Sequence, residues 1–503
     1  MDQPPQDAEQ TSERLAQTTP AEPSLRRRNP AFEGIVTTVD WVLIALILAL
    51  TFRAFVMEAF RIPTGSMAET LRGDHYPVRC LRCGYRFDVG NDCYGTMPPR
   101  CPSCAAELPE RPPVPESNGD RILVLKTLYQ FVEPRRWDVV VFKNPVDPRE
   151  NYIKRMIALP GETVQIIDGD IYINGQIARK PPRVQEELFM PVFLNDYQDR
   201  TRGHDEADDQ EDSRPGFHNE PGSAWDIGRA TPAILALDQD PDGVHTLRFN
   251  PGPLGYKTKY GYNGRMMNAN QPTCSDLMVQ FHVLADGEQG HVGVALRKYG
   301  RWYRATVRFD GHMTLERMDR DDPLLLADVT GTAPSNGRAR RLRFANVDHQ
   351  LVLTWGQESL RYDLGREPDA VGHPHRAPLP DVRIFGSGRM RLLHAGVWRD
   401  THYTSAGSLR AGEEEPFTLN DGEYFVCGDN SPNSLDARMW NQPGRGNNGQ
   451  TYRMGVVPRD YLMGKAFIVY WANAFRLSPQ HQLAVIPNVS EIKVIHGGSP
   501  AEF

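Results

Sequence analysis

The 503-residue chain lacks the excess of basic residues that nucleic-acid-binding proteins usually carry. Its 57 Lys and Arg against 64 Asp and Glu give a formal net charge of −7, which argues against a nucleic-acid partner. The chain also lacks a G-x-S-x-G motif and any order of His and Asp that indicates a serine triad. Long helical periods are few, whereas 43 Gly and 41 Pro indicate many turns. These features predict a mainly β protein without a histidine-based triad.

Long apolar runs are absent except for one, at residues 35–60. Its wholly apolar centre at 41–50 is short, but about 20 residues can span a membrane if Asp40 and Arg53 lie near the two interfaces. A cleaved signal peptide and a buried core helix are the alternatives, although a signal peptide usually starts with only a short basic region. We therefore predict a retained transmembrane helix over 34–60.

Arginines at 26–28 precede this run, and positive charge holds that flank of a membrane helix in the cytoplasm. The polar residues 1–33 are predicted to form a disordered cytoplasmic tail. Everything after residue 60 is then predicted to be extracytoplasmic. The predicted location is the plasma (inner) membrane, with a single crossing and the lipid bilayer as a partner.

Cysteine is scarce outside one short stretch. Five of the seven cysteines lie between 80 and 104, and Cys274 and Cys427 stand alone. Two C-x2-C pairs separated by seventeen residues are typical of a zinc site, and Cys93 between them is a spare or alternative ligand. Four thiolates leave no open position on the metal, so the predicted zinc is structural. Disulfides are the alternative, because thiols oxidise outside the cytoplasm. The predicted ligands are Cys80, Cys83, Cys101 and Cys104.

A serine and a lysine are the candidate catalytic groups. Ser66 follows Thr64 and Gly65 just beyond the apolar run, and a serine hydroxyl needs a base before it can attack a carbonyl. Lys154 lies in an apolar, strand-like segment, where burial would lower its pKa from about 10.4 and make it a base. A lysine in such a strand more often extends to solvent or pairs with an acid.

Four segments after the apolar run arrive in an order that resembles the bacterial type I signal peptidases. They are the serine box (Phe60–Met67), the strand that begins at Gly119-Asp120, the Tyr152–Arg155 segment with the hairpin that follows, and the GDN box (Gly428–Arg438). That family consists of membrane-anchored Ser–Lys endopeptidases that remove signal peptides from exported preproteins. The resemblance covers residues 35–75, 119–180 and 420–472.

The resemblance implies a role for each matched residue. Ser66 matches the nucleophile, Lys154 the general base, and Thr64 the hydroxyl that shares the oxyanion hole with the Ser66 N–H. Thr64 stands where many members have serine, and Ala437 replaces a usual serine. Ser434 matches the serine that orients the lysine. The matched supporting residues are Asp429, Asp436 and Arg438.

The same resemblance implies shallow apolar pockets that select Ala-x-Ala cleavage sites, and no catalytic cofactor. The side chains concerned could equally belong to an ordinary core. They are Phe60, Ile62, Pro63, Met67, Leu71, Tyr152 and Ile153.

The predicted fold is a signal-peptidase-like β domain built from discontinuous segments, with two inserts. Alternating segments at 226–405 predict an antiparallel sandwich similar to laminin-G or concanavalin-like jelly rolls, which either binds a carbohydrate or protein ligand or is structural. The predicted order after the helix is a first catalytic segment at 61–78, a zinc-ribbon-like insert at 79–116, a second catalytic segment at 117–180, a polar loop at 181–225, the sandwich-like insert, and a third catalytic segment at 406–503.

The sequence therefore predicts a membrane-bound serine endopeptidase acting on secretory preproteins. Self-cleaving repressors share the Ser and Lys chemistry, but they carry a DNA-binding helix-turn-helix and no anchor. The alternative from another class is a catalytically idle, membrane-anchored scaffold that presents the ribbon and the sandwich.

Overall fold

A computed structural model of the chain describes most of its length. The described residues are 30–92, 98–109, 113–198, 214–227, 233–257, 262–263, 271–319, 322–333, 337–365, 378–446, 449–473, 475–476, 484–486 and 488–498. The predicted tail before residue 30, the spare Cys93 and the acidic run at 205–212 lie outside them. The chain divides into two compact units, which meet in sequence at Phe55 and Val56.

The first unit contains helix α1 (Pro30–Phe55), which covers most of the predicted anchor. Its apolar side chains are exposed, and Trp41 keeps 68% of its surface. Among the described residues, no helix combines the length and apolarity required to cross a membrane. The predicted end of the helix at residue 60 is wrong, because strand β1 (Met57–Arg61) already pairs with a second strand there. Backbone pairing has overridden the apolar pattern of this short stretch.

The second unit is almost entirely β, which confirms the predicted fold class. Its helices are α2 (Leu128–Phe131) and α3 (Pro182–Leu188). The strands up to the sandwich are β1, β2 (His75–Arg79), β3 (Arg86–Gly90), β4 (Arg121–Leu125), β5 (Val139–Lys143), β6 (Asn151–Ala158), β7 (Thr163–Ile167), β8 (Asp170–Ile173), β9 (Gln176–Ile177), β10 (Met190–Leu194) and β11 (Gly216–Asn219).

The later strands complete the sandwich and the last third of the chain. They are β12 (Ile234–Asp238), β13 (His245–Asn250), β14 (Leu277–Ala285), β15 (His291–Lys298), β16 (Arg301–Arg308), β17 (His312–Asp319), β18 (Asp322–Thr330), β19 (Arg340–Val347), β20 (Gln350–Trp355), β21 (Glu358–Asp363), β22 (Asp381–Ser387), β23 (Arg389–Arg399), β24 (Phe417–Thr418), β25 (Glu423–Cys427), β26 (Gly444–Arg445), β27 (Thr451–Tyr452), β28 (Val457–Pro458), β29 (Leu462–Trp471), β30 (Phe475–Arg476), β31 (Ala484–Ile486) and β32 (Lys493–Val494).

An eight-stranded sheet forms the frame of the candidate site, in the order β1-β4-β29-β5-β6-β25-β28, with β32 also paired to β29. Its strands come from distant regions of the chain, because β29 from the last third lies between β4 and β5. Alternating residues such as Ile122, Val124 and Val139 are fully buried, as a strand with one face in a core requires. A smaller sheet of order β24-β7-β8-β9 packs beside it, and Asn174-Gly175 forms the turn between β8 and β9.

Two seven-stranded antiparallel sheets share one core. One contains β10-β23-β14-β19-β20-β21 with β12 beside β23, and the other has the order β11-β13-β22-β15-β16-β17-β18. Phe281 and Phe344 of the first sheet and Val294 and Val307 of the second belong to the same buried cluster. The prediction of a polar loop at 181–225 is wrong, because that range includes α3, β10 and β11. Both strands, β10 and β11, belong to the sandwich.

A small hairpin of β2 and β3 carries the cysteine-rich segment. It begins at His75, four residues before the predicted boundary at 79, because β2 pairs with β3 along its whole length. The hairpin is short and has its own apolar cluster, which includes Val78, Phe87 and Val89 with the cysteines. A segment this small needs a further link between its strands and loops to hold its shape.

Candidate active site

Ser66 lies in a single turn of 3-10 helix, Gly65–Met67, directly after the exposed Thr64. The turn is held from the GDN box: Asn430 donates its backbone N–H to the Ser66 carbonyl oxygen at 3.1 Å, and its side-chain Nδ2 to the Gly65 carbonyl oxygen at 2.8 Å. Asp92, which follows β3, accepts the Gly65 N–H at 2.8 Å. The turn is therefore fixed through its backbone, and the serine hydroxyl is left available.

Lys154 lies on β6 opposite Val140 of the neighbouring strand. Its side chain is 4% exposed, and its Nζ donates to Ser66 Oγ at 2.8 Å and to the Ile153 carbonyl oxygen at 3.0 Å. Burial lowers the pKa of Lys154 to about 8, although Asp436 and Asp429 act in the opposite direction. Within the described residues, no carboxylate lies within ion-pair distance of Nζ. The predicted desolvation of this lysine has its physical basis here.

A neutral amine at hydrogen-bond distance from a serine hydroxyl can accept its proton. The ring of Tyr152 lies 5.4 Å from Nζ and covers one side of the lysine. Ser66 is itself 9% exposed, so the pair is shielded from most solvent. The contact and the burial of the two side chains are the geometry that a Ser–Lys dyad requires.

The residue after Lys154 forms a buried ion pair with the GDN box. Arg155 donates from Nε and Nη2 to the two carboxylate oxygens of Asp429, each at 2.7 Å, and neither side chain has exposed surface. A third nitrogen, Nη1, donates to the Trp137 carbonyl oxygen at 2.9 Å. Because both charges are paired and the remaining donors are used, burial is tolerated. This pair holds β6 against the strand end that precedes Asn430.

A second buried ion pair lies within the GDN box. Arg438 donates to both carboxylate oxygens of Asp436, at 2.9 and 2.7 Å. Burial would raise the pKa of Asp436, but the Arg438 guanidinium and the Gly428 N–H lower it overall. Arg438 also donates to Ser431 Oγ at 2.6 Å. Asp436 and Arg438 therefore form the ion pair that the sequence predicts within the box.

Gly428 leaves no room for a side chain between the GDN box and the serine turn. A Cβ placed on it would lie 2.2 Å from Ser434 Oγ and 2.4 Å from the Ser66 carbonyl oxygen. Ser434 is thus close to the serine turn, yet its Oγ is buried and has no well-formed hydrogen bond within the described residues. Its predicted bond to the lysine is not formed in this structure. The predicted oxyanion role of Thr64 stays a prediction as well.

The predicted substrate-binding residues separate into two groups. Ile62, Met67 and Leu71 are buried, with 3%, 0% and 0% of their surface exposed, and they pack into the core between β4, β5 and β29. The remaining four keep accessible surface, and three of them are partly buried against the hydrophobic clusters on the two sides of the eight-stranded sheet. These residues are Phe60, Ile153, Tyr152 and the exposed Pro63. Only this second group has surface available to a bound peptide.

The four predicted metal ligands come together at the tip of the hairpin. The Cys80 and Cys104 sulfurs are 3.6 Å apart, as are those of Cys83 and Cys101, and all four lie within 4.8 Å of one another. Sulfurs bound to one zinc at about 2.3 Å would be separated by about 3.8 Å. All four are free cysteines rather than disulfides. The cluster has the donor set and spacing of a tetrahedral thiolate site.

The two halves of this cluster are built alike. In each, the residue after the second cysteine donates its N–H to the carbonyl oxygen of the first cysteine at 2.9 Å: Gly84 to Cys80, and Ala105 to Cys101. Both donors have positive φ, +80° and +58°. Such paired turns place the thiols of each pair on the same side.

Some residues that hold the site have no role that the sequence indicates. Arg155 stands out only as a neighbour of Lys154, and Asn430 only as a member of the GDN box. Asp92 and the inserted residues Tyr262 and Asn263 give no signal, because their contacts join regions of the chain that are distant in sequence. Gly65 is the one local clue: a Cβ there would lie 2.1 Å from the Tyr262 ring.

Two separate parts of the chain match a single known protein family. Residues 114–219 and 391–471 match the family described as signal peptidase, peptidase S26. The matched ranges include Lys154 and the GDN box, whereas Ser66 lies outside them.

Two curated relatives, both described as Signal peptidase I, give the extent of the likeness. The protein from Leptolyngbya laminosa is 33% identical over 171 residues, which cover 32% of this chain and 60% of that protein. The protein from Rickettsia canadensis is 33% identical over 140 residues, which cover 27% of this chain and 43% of that protein. The chain spans about half the length of these relatives. The predicted resemblance to the signal peptidases is confirmed.

Solved structures similar in shape include a carbohydrate-binding module from Bacillus subtilis and the Emp46p carbohydrate recognition domain. They are 8% and 10% identical, and they cover 36% and 38% of this chain and 94% and 92% of their own. The TM-scores are 0.24 and 0.25.

Proposed function

We propose that this chain is a serine endopeptidase that cleaves signal peptides from secretory preproteins, with Ser66 as nucleophile and Lys154 as general base. The observation that carries the proposal is the 2.8 Å contact between Lys154 Nζ and Ser66 Oγ in a buried setting. A lysine retained for structure would pair with a carboxylate or reach solvent, and Lys154 does neither among the described residues. The family match supports the substrate class.

In the first step, neutral Lys154 takes the proton of Ser66 as Oγ attacks the carbonyl carbon of the scissile peptide bond. The developing oxyanion would accept hydrogen bonds from the Ser66 N–H and the Thr64 hydroxyl. The resulting lysine ammonium then protonates the leaving amine, which departs and leaves an acyl ester on Ser66. Water, deprotonated by Lys154, hydrolyses that ester and restores both groups.

The preference for small residues before the cut follows from the proposed substrate contacts. Phe60, Pro63, Tyr152 and Ile153 keep accessible surface, while Ile62, Met67 and Leu71 are packed in the core. A shallow floor of this kind accepts alanine and excludes large side chains. We therefore propose cleavage after Ala-x-Ala sites.

We also propose that the cysteine cluster binds a structural zinc ion. The four thiols have the spacing of a tetrahedral site, and the hairpin that carries them has only a small core of its own. Bound zinc would link the two halves of the hairpin and leave no coordination position for chemistry. No catalytic cofactor is needed for the proposed reaction.

The predicted membrane location belongs to the same proposal. The exposed apolar side chains of α1, such as Trp41, Leu48 and Phe55, would be costly in water and favourable in a bilayer. An anchor there, with the N-terminus in the cytoplasm, would put the dyad on the side where preproteins emerge.

The decisive experiment is cleavage of a preprotein with an Ala-x-Ala site by the purified full chain, followed by mapping of the new N-terminus. Ser66→Ala and Lys154→Met should each abolish cleavage. The control is Lys126→Met, which removes a partly exposed lysine paired with Glu58 at 3.1 Å and should keep full activity. Cleavage that survives Lys154→Met would exclude the proposed mechanism, and an inactive wild type would favour the idle scaffold.

A further inference from the structure

We propose that Asn263, in the insert between β13 and β14, is a positioning residue for the serine turn and acts through Asn430. The inference rests on the function proposed above, which it extends by giving the insert a role in the reaction. The insert has otherwise been assigned no role beyond its own sandwich. The contacts of a short described segment, 262–263, connect it to the serine turn.

The first observation is a reciprocal pair of side-chain amides. Asn263 Nδ2 donates to Asn430 Oδ1 at 2.6 Å, and Asn430 Nδ2 donates to Asn263 Oδ1 at 2.9 Å. Neither side chain has exposed surface. Buried amides keep their orientation only when both ends are satisfied, so each asparagine fixes the rotamer of the other.

The second observation connects this pair to Ser66. The two protons of Asn430 Nδ2 are shared between the Gly65 carbonyl oxygen, at 2.8 Å, and Asn263 Oδ1. The Asn430 backbone N–H meanwhile holds the Ser66 carbonyl oxygen at 3.1 Å. Loss of Asn263 would leave the Asn430 amide free to turn away from Gly65. The serine turn would then lose one of its fixed points, and with it the alignment of Ser66 Oγ on Lys154.

The third observation explains how an inserted residue reaches this position. Tyr262 is fully buried, and its ring lies where a Cβ on Gly65 or Gly90 would be, within 2.1 and 2.2 Å of a ring carbon. Its hydroxyl donates to the Asp74 carbonyl oxygen at 3.1 Å, and its own carbonyl oxygen accepts the Gly90 N–H at 2.8 Å. Tyr262 thus seats the neighbouring Asn263 against the serine turn and the hairpin.

The primary test compares Asn263→Ala with the wild-type full chain on a preprotein carrying an Ala-x-Ala site. We expect kcat to fall about tenfold or more with little change in KM, because misplacing a nucleophile slows chemistry more than binding. The matched control is Asn219→Ala. Asn219 ends strand β11 of the sandwich and makes two hydrogen bonds, to the Trp225 N–H and carbonyl oxygen, at 3.1 and 2.8 Å. Its removal should leave kcat unchanged.

A double variant tests whether Asn263 acts through its partner. If it does, Asn263→Ala combined with Asn430→Ala should lose no more kcat than Asn430→Ala alone. Losses that multiply would overturn the proposed route. Asn263→Asp, which is nearly the same size and keeps the acceptor for Asn430, should retain more activity than Asn263→Ala.

Hydrogen exchange provides a readout that does not require cleavage. The Asn430 amide should exchange faster in Asn263→Ala than in the wild type, and at the wild-type rate in Asn219→Ala. If the wild type cleaves no preprotein, the proposed function fails while this measurement still decides whether Asn263 holds the turn. Unchanged exchange in a folded Asn263→Ala protein, or unchanged kcat in an active enzyme, would overturn the inference.

Discussion

Arg155 holds Asp429 through two parallel hydrogen bonds of 2.7 Å, and the residue before Arg155 is Lys154. Asp429 in turn precedes Asn430, whose backbone and side chain hold the serine turn. One buried ion pair therefore fixes Lys154 and Ser66 to the same point. The proposed dyad depends on backbone alignment between β6 and the end of β25, in addition to the chemistry of its two side chains.

Removal of one partner of this pair should destabilise the protein strongly. Asp429→Ala removes both hydrogen-bonded oxygens from the buried Arg155 guanidinium and leaves Glu187, at 3.8 Å, as its remaining carboxylate partner. We expect a loss of about 3 kcal/mol in the free energy of unfolding. The matched control is Asp147→Ala, which breaks a bidentate pair with Arg149, whose side chain is 88% exposed. Denaturant unfolding of both variants measures the difference. Similar losses in the two would contradict the importance of burial.

The pH dependence of cleavage should report the lysine. Burial lowers the pKa of Lys154 to about 8, so the amine is protonated and inactive as a base below that pH. We expect kcat to rise about tenfold per pH unit below pH 8 and to level off above it. Steady-state kinetics between pH 6 and pH 10, on the order of one point per half unit, measure the midpoint. A rate that still rises at high pH would mean a lysine with an ordinary pKa.

The close approach at Gly428 predicts a sharp sensitivity to one methyl group. Gly428→Ala would place a Cβ 2.4 Å from the Ser66 carbonyl oxygen, so the serine turn or the GDN box must shift. A displacement of about 1 Å can cost about a hundredfold in rate, and we expect a loss of this order in kcat. Gly412→Ala is the control, since a Cβ there meets nothing within 4 Å. Wild-type kcat in Gly428→Ala would show that the turn adapts without cost.

Metal content distinguishes the cysteine cluster from the isolated cysteines. Elemental analysis of the purified chain should find about one zinc per molecule, and Cys101→Ser should lose it because three thiolates bind less tightly than four. Cys274→Ser should keep the metal, since Cys274 is buried elsewhere and its thiol contacts the Asp276 and Asp400 carbonyl oxygens. Equal zinc content in both variants would place the metal outside the cluster.

Removal of zinc should also affect the serine turn. Asp92 follows the hairpin directly and accepts the Gly65 N–H, so a change in the shape of the hairpin reaches the turn through one residue. Treatment with a chelator should therefore lower kcat and the melting temperature together. A lower melting temperature with unchanged kcat would show that the hairpin is structural only.

The candidate dyad can be predicted from the sequence because each half carries its own local signal. Ser66 belongs to a recognisable turn. Lys154 and Arg155 are the two charged residues at the centre of a strand that is otherwise apolar, with Tyr152-Ile153 before them and Met156-Ile157 after them. The spacing of the cysteine pairs is similarly informative. In each case a few residues adjacent in sequence are enough to predict the chemical role.

The supports of the dyad cannot be predicted in this way, because they depend on contacts between distant segments. The bond from Asn263 to Asn430 joins residues 167 positions apart. Asn430 belongs to the recognisable GDN box, but Asn263 lies in a segment whose pattern does not differ from an ordinary loop. The start of β1 escapes prediction for a related reason. Residues 57–60 continue the apolar run, and it is the pairing of β1 with β4 along its whole length that makes them a strand.

The position of β29 between β4 and β5 has a consequence for the order in which the protein is made. Ser66 and Lys154 are translated long before Leu462–Trp471. Until that segment is made, β4 and β5 lack the strand that joins them. The GDN box that holds the serine turn is also translated late. The proposed protease thus stays inactive throughout most of its own synthesis, and its late strands time the onset of proteolysis.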